Sequence, residues 1–261
     1  MSTIDGLSAR RFLSPVEFAA GVSRKVARHV TFRPHLLQLD APVVAFTFDD
    51  FPVSVVENAV PALDDAGMLG TFYLASGLMG RHENGQLIVD APAVADLARK
   101  GHEIGGHTHG HIDVQRTGRA DLLADVGRNE EQIRQIIGAT RPMSFAYPFG
   151  MISIPSKLAL MQRYPGLRGI KTGINSNIID LAHLKTQELY DASQDLASID
   201  RLLDEAERRR GWLIFYTHDV RKDPTSIGAS PAFFAAVVDK VRRRGIRVEP
   251  VVETLRRVGV A

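Results

Sequence analysis

The run Val43-Val44-Ala45-Phe46-Thr47-Phe48 ends abruptly in two carboxylates, Asp49 and Asp50. An unbroken apolar, β-favouring run of this kind predicts a strand buried on both faces, as in a parallel sheet covered by helices. Adjacent acids are costly in mid-core, so the strand must deliver them to the rim of a sheet or barrel, where sites are built. The pair divides into two jobs. Asp50 is read as a metal ligand and Asp49 as a group that moves a proton. The rest of the chain then has to supply more ligands, an acid and an oxyanion site.

The remaining pattern alternates strands with helices. Helical spacing covers Val53 to Ala66, Pro92 to Lys100, Ala120 to Ile137, Pro155 to Arg163, Leu196 to Arg210 and Pro231 to Arg244. Strand-like runs fall at Thr71–Leu74, His102–Ile104, Met143–Tyr147, Leu167–Lys171, Trp212–Thr217 and Ile246–Val248. The stretch Gln187 to Asp195 reads as irregular. Such alternation implies parallel strands joined by crossover helices. Candidate acids and histidines sit just after strands, which suits a βα barrel with its site at the carboxyl rim. Ahead of it, Ser14-Pro15 reads as a helix start, with Ser14 as N-cap, followed by Phe18, Val22 and Val26 on one face. The expected organisation is an N-terminal helical extension over residues 1–40 packed on a barrel domain over residues 41–261.

At 261 residues, 44% hydrophobic and 24% charged, the chain can bury one sizeable core, and a single α/β barrel occupies roughly this length. A formal charge of +2 is no nucleic-acid signature. The runs Arg208–Arg210 and Arg242–Arg244 precede Gly211 and Gly245, where cations suit helix C-termini. With no cysteine, thiolate metal sites, disulfides and a Cys nucleophile are excluded. Met1 to Ser14 carries no long apolar segment, and no stretch approaches the ~20 apolar residues of a membrane span. The expectation is a soluble cytoplasmic protein, with a membrane-adjacent substrate allowed.

The second informative stretch, Gly101 to His111, holds four of the nine histidines. His107 and His111 are four apart, so a turn can place both imidazoles on one side, and the glycines around them argue for a loop. Two His and one carboxylate make a known catalytic metal arrangement, with Asp50 as the carboxylate. A His-rich surface loop without metal is the competing reading. His102 reads as loop support, and His109 as facing solvent or substrate. The third stretch, Phe145-Ala146-Tyr147-Pro148-Phe149-Gly150, is either a core strand followed by a turn or a rigid turn that presents a backbone N–H to an oxyanion beside an aromatic wall. The fourth, Ile214 to Asp219, ends an apolar strand at His218, a rim residue or a general acid.

These stretches together resemble the polysaccharide deacetylase family, also called the NodB homology domain or carbohydrate esterase family 4. Thr47-Phe48-Asp49-Asp50 is similar to its first motif and His107-Thr108-His109-Gly110-His111 to its second. Phe145 to Gly150 resembles its third, which more often reads Arg-x-Pro-Tyr-Gly, and Thr217-His218 its fifth. The resemblance spans about Val43 to Leu255. It implies a distorted (β/α) barrel of about seven strands and one divalent metal, usually zinc, on Asp50, His107 and His111. It implies Asp49 as catalytic base toward a metal-activated water, and His218 as acid. Tyr147, Pro148 and Phe149 would form the substrate and oxyanion side, and Thr108 would brace the loop. The expected activity is removal of an N-acyl group, above all N-acetyl, from a glycan or glycoconjugate. Two alternatives are a hydrolase of a small linear or cyclic amide and a non-catalytic carbohydrate-binding relative. The family's third-motif Arg is replaced by Ala146, leaving Arg141, Arg168 and Lys171 as candidates to steady Asp49. Its Asp-Trp fourth motif is not visible. Trp212 is the only tryptophan, and Asp180, Asp191 or Asp195 would orient His218, with Asp219 pointing away.

Overall fold

The computed structural model describes residues 15–138 and 141–261. Ser14 and the Met1–Ser14 segment lie outside the described residues, as does the side chain of Phe18. The centre is a parallel sheet of eight strands: β1 (Val43–Asp49), β2 (Thr71–Leu74), β3 (Glu103–Gly106), β4 (Ser144–Ala146), β5 (Gly166–Thr172), β6 (Leu184–Glu188), β7 (Trp212–Thr217) and β8 (Arg247–Val248). β1 to β7 pair in sequence order, and β7 pairs back onto β1, so seven strands close a barrel. The two-residue β8 pairs with Val43 and Val44 at the start of β1, while β2 pairs with Thr47 to Asp49 at its end. The fold class is therefore the one the alternating pattern implied. β6 is an addition: its polar sequence, Leu-Lys-Thr-Gln-Glu, does not read as a strand, and its pairing to β5 is irregular.

The helices are α1 (Pro15–His29), α2 (Val53–Asp65), α3 (Ala91–Arg99), α4 (Arg119–Ile137), α5 (Ile154–Leu160), α6 (Leu196–Arg209), α7 (Pro231–Arg243) and α8 (Val251–Arg257). β1 shows how the layers form. Val44, Phe46 and Phe48 join the cluster that holds Val55 and Leu63 of α2 and Phe234 and Val237 of α7. Val43 and Ala45 instead join Trp212, Ile214 and Leu184 with Val251 and Leu255 of α8. A strand sends alternate residues to opposite faces, so Thr47 and Asp49 fall on the face of Val43 and Ala45. Parity thus puts Asp49 inside the barrel end, and the next residue on the rim.

Two small antiparallel ribbons are added. Pro34–Leu37 pairs with Asn177–Asp180, and His82–Glu83 pairs with Gln86–Leu87. α1 packs near α5, with the Ser23 hydroxyl accepting from the Ile154 N–H at 3.1 Å. Among the described residues no helix is long and apolar enough to cross a membrane.

Candidate active site

Register explains why distant residues meet. Thr217 pairs with Phe48, so His218 and Asp49 are the next residues up on neighbouring strands. Their side chains approach to 3.9 Å, His218 Nε2 to Asp49 Oδ2. Gly106 pairs with Phe145, so His107 comes level with Ala146. The His107 Nδ1 lies 2.8 Å from the Ala146 carbonyl oxygen, which can only accept, so Nδ1 carries the proton and Nε2 keeps a free lone pair.

That lone pair faces Asp50. His107 Nε2 and His111 Nε2 lie 3.6 and 3.5 Å from Asp50 Oδ1. One donor atom from each of the three residues falls within 4.8 Å of the others. Asp50 Oδ1 is buried with no hydrogen-bond partner among the described residues. An orphaned carboxylate oxygen between two imidazole nitrogens is costly unless a cation joins them, and one carboxylate with two imidazoles suits a divalent ion. The residues present fit a metal. Burial, reinforced by the neighbouring charges of Asp49 and Glu83, raises the Asp50 carboxyl to about 8 in the metal-free protein. Burial lowers His107 to about 3 and His111 to about 4, keeping both neutral as ligands must be.

The backbone is shaped for this convergence. Asp50, Thr108, His111 and Phe149 adopt φ of 55°, 63°, 49° and 57°, left-handed values that cost a non-glycine residue energy. Strain collected at one place needs bracing. The Thr108 hydroxyl accepts from the Ile112 N–H at 3.1 Å, and Asp125 of α4 accepts from the His109 N–H at 2.7 Å and the Gly110 N–H at 3.2 Å. Thr108 thus holds the loop, as expected of it.

Asp49 is 4% exposed, and both its oxygens accept from one guanidinium nitrogen of Arg168, which is wholly buried. Arg168 reaches up from β5 between the rings of Tyr73 and Tyr216, each 5.1 Å away. Of Arg141, Arg168 and Lys171, it is Arg168 that meets Asp49. Burial pushes the Asp49 carboxyl up, but the charge and hydrogen bonds of Arg168, together with the nearby His107 and His218, outweigh it and hold the group below the usual range. His218 is lowered, chiefly by burial, against the opposing pull of Asp49.

A cavity of about 300 Å³ opens over these groups, lined by Asp50, His111, Phe149 and His218 among others. Phe149 is 56% exposed and its ring sits 4.3 Å from that of His111. The tight turn spends the N–H groups of Gly150 and Met151 on Tyr147 and Pro148 carbonyls. Tyr147 departs from the expectation. Its ring is buried and its hydroxyl donates to the Ala182 carbonyl at 3.1 Å, so neither it nor the buried Pro148 lines the cavity. A larger cavity of about 560 Å³, near His102, Glu103 and Val252, lies at the start of β3, away from this rim.

No acid orients the other side of His218: its Nδ1 is buried without a partner among the described residues. Asp180 takes the Arg33 N–H and Lys157, Asp191 takes the Ser230 N–H, and Asp195 caps α6. Asp219 turns away, as expected, toward Thr225 and Gln86. Trp212 is buried low on β7. His102 supports the base of β3, its Nδ1 accepting from the Gly70 N–H at 3.0 Å. His109 contacts the Ser76 hydroxyl at 3.0 Å. The residues that the motifs did not point to are Glu83, Gln86 and the Thr225–Ile227 segment, which also line the cavity. Asn84-Gly85, a strong hairpin signal, could have revealed the first two.

Fold and site define a class: a closed parallel (β/α) barrel carrying an Asp-His-His cluster and a buried Asp–Arg pair on its carboxyl rim. The family model described as "Polysaccharide deacetylase" matches residues 37–165, and across that stretch the chain is similar to that family. A chitin deacetylase of Arthroderma benhamiae is 23% identical over 214 residues, covering 81% of this chain and 51% of that protein. The chain spans about half the length of the curated relatives it matches. Among solved structures, a family 4 acetyl xylan esterase from Clostridium thermocellum aligns with a TM-score of 0.61 and 19% identity, over 84% of this chain and 93% of that one. The chitin deacetylase of Colletotrichum lindemuthianum aligns at 0.58 and 19% identity, over 87% and 92%. These structural likenesses bear on the fold.

Proposed function

We propose that the protein is a metal-dependent hydrolase that removes an N-acyl group, in the first instance N-acetyl, from a glycan or glycoconjugate. The observation that carries this reading is the pairing of two functions on one rim. Asp50, His107 and His111 converge within 4.8 Å, while Asp49 beside them is spared for chemistry. A module that only bound metal and sugar would have no use for a second buried carboxylate with its own arginine. The names of the curated relatives, chitin deacetylases, agree with an N-acetylated glycan as substrate. Asp50, His107 and His111 would hold the ion, and the donor set favours zinc. A divalent ion there supplies Lewis acidity toward the amide carbonyl and lowers the pKa of water.

The chain's own groups do the rest. Asp49, ionised because Arg168 holds it low, takes a proton from the attacking water. The proton taken by Asp49 passes to His218 Nε2, 3.9 Å away, and His218 then gives it to the departing nitrogen. The Phe149 backbone N–H donates to the developing oxyanion. The exposed Phe149 ring offers an apolar face to a sugar. Asp49→Asn is the test. In zinc- or cobalt-loaded protein, acetate release from N-acetylated oligosaccharides falls by about 10² to 10⁴, with the metal content unchanged. A wild-type protein that releases no acetate from any such substrate defeats the reading, and metal and glycan binding without turnover would favour a binding module. The small size of the cavity, about 300 Å³, supports a second reading, hydrolysis of a small amide on the same scaffold.

A further inference from the structure

The cavity has a built end. One flank is the hairpin His82–Glu83 with Gln86–Leu87, turned by Asn84-Gly85. Both turn residues have positive φ, 49° and 76°, as a two-residue hairpin loop requires. The hairpin is fixed at its base: the Ile88 N–H donates to the Arg81 carbonyl at 2.9 Å, and Ile88 bridges to Pro52, two residues past Asp50. This is a rigid wall rather than a loose loop.

The other flank is the segment after β7. Asp219, wholly buried, ties the two together. It accepts from Gln86 Nε2 of the hairpin at 3.0 Å and from the Thr225 hydroxyl at 2.5 Å. The segment packs so close that a Cβ on Gly228 would lie 2.0 Å from Asp219 Oδ1. The same segment returns a bond to the acid's backbone, the His218 N–H donating to the Ile227 carbonyl at 3.1 Å. Glu83, Gln86, Thr225 and Ile227 all line the cavity. Its two flanks are therefore joined through one buried carboxylate. With the Thr225 N–H at 3.3 Å as a third donor, this carboxylate is a strong tie, and opening it would leave Asp219 buried and short of partners.

An internal unit of a polymer needs two exits from a site, one for the chain on each side. A volume of about 300 Å³ is at the low end for ligand pockets, roughly 300 to 1,000 Å³. We propose that the tie Gln86–Asp219–Thr225 closes one exit, so that the site takes the end unit of a chain, or the single sugar of a glycoconjugate, and rejects units in the interior of a polymer. This rests on the proposed N-deacylase reading. Gln86 and Thr225 are specificity-determining residues here and take no part in the chemical step.

The experiment uses metal-loaded protein and β-linked N-acetylglucosamine oligomers of two to six units, with the site of deacetylation read by mass-spectrometric sequencing. The wild type is expected to act on an end unit at least about tenfold faster than on interior units. In Gln86→Ala and in Thr225→Val that ratio is expected to fall severalfold toward unity while the dimer is still hydrolysed. A structural defect alone would slow all positions together and leave the ratio. Equal attack on interior and end units by the wild type, or an unchanged ratio in both variants, overturns the proposal and leaves the deacylase reading intact. Without any acetate release, the deacylase reading fails, and binding of the same oligomers decides. Affinity that saturates at one or two units supports the closed end. Affinity that climbs to the hexamer, or no binding at all, overturns it.

Discussion

The base role proposed for Asp49 needs an ionised carboxylate, and Arg168 is the foremost charge that favours one. Burial alone would raise the Asp49 carboxyl, and the guanidinium, with lesser help from His107 and His218, reverses that. Arg168→Met removes the cation and leaves a buried carboxylate that is cheaper to protonate. The expected result is a lower rate at neutral pH and an acid limb of the pH–rate profile moved to higher pH, since Asp49 then ionises only there. Stability should fall by about 3–5 kcal/mol, the usual cost of orphaning one member of a buried pair. Acetate release measured from pH 5 to 9, with a denaturant titration, checks both; an acid limb that stays in place would show that Arg168 does not set the base. The sequence made Asp49, Asp50, His107 and His111 legible because strand ends and a glycine-flanked loop announce a rim. Arg168 was one candidate among three. In Gly-Leu-Arg-Gly-Ile-Lys-Thr, Arg168 and Lys171 look alike, and only closure of the barrel turns one inward and leaves the other half-buried. Tyr147 was misread for the converse reason: the motif marks the turn, but the ring's direction depends on the Ala182 carbonyl, 35 residues on.

Among the elements, α5 is the joint. The buried Lys157 ammonium donates to the Ala27 carbonyl at 2.9 Å and the Val30 carbonyl at 3.2 Å, at the end of α1. It also donates to Asp180 of the outer ribbon at 2.6 Å. Asp180 in turn accepts from the Arg33 N–H at 2.9 Å. One cation thus holds α1, α5 and the Pro34–Leu37/Asn177–Asp180 ribbon together. Lys157→Met keeps the volume and removes the donor, so it should cost about 3 kcal/mol. It should also make the α1 region a first site of limited proteolysis while the barrel survives. A variant as protease-resistant as the wild type would mean that apolar contacts alone, such as those of Ala27, seat α1. No sequence signal pointed here, since a lysine in a short helix reads as solvated. The hairpin at Asn84-Gly85 went unread although its turn chemistry carries a signal, and β6 carries none, because its alternation of polar residues does not resemble a strand buried by helices.

For the molecule as a whole, the metal cluster sets a pH dependence whose sign differs with and without the ion. In the metal-free protein, Asp50 is raised to about 8, by burial first and then by the charges of Asp49 and Glu83, whereas the unfolded chain ionises it near 3.8. Between these values the folded state holds a proton that the unfolded state has lost. Stability therefore falls as pH rises toward 8. His107 and His111, lowered to about 3 and about 4, work in the opposite direction, but only below the ordinary histidine range near 6.5. The clean window is pH 6.5 to 8.5, where Asp50 alone of the three titrates. Across it the metal-free protein should lose about 2 kcal/mol, at ~1.4 kcal/mol per pH unit up to 8. The zinc-loaded protein needs Asp50 ionised already and should not show this loss, so the stabilisation conferred by zinc grows with pH. Asp50→Asn removes both effects: the metal-free variant should be flat across the window, and zinc should add little. Guanidinium titrations of the two proteins at pH 6.5, 7.5 and 8.5, with and without zinc, measure all four slopes. A wild-type metal-free slope that is zero or rising would mean that Asp50 is not held protonated between the two histidines. The orphaned oxygen would then have lost its status as the sign of a cation site.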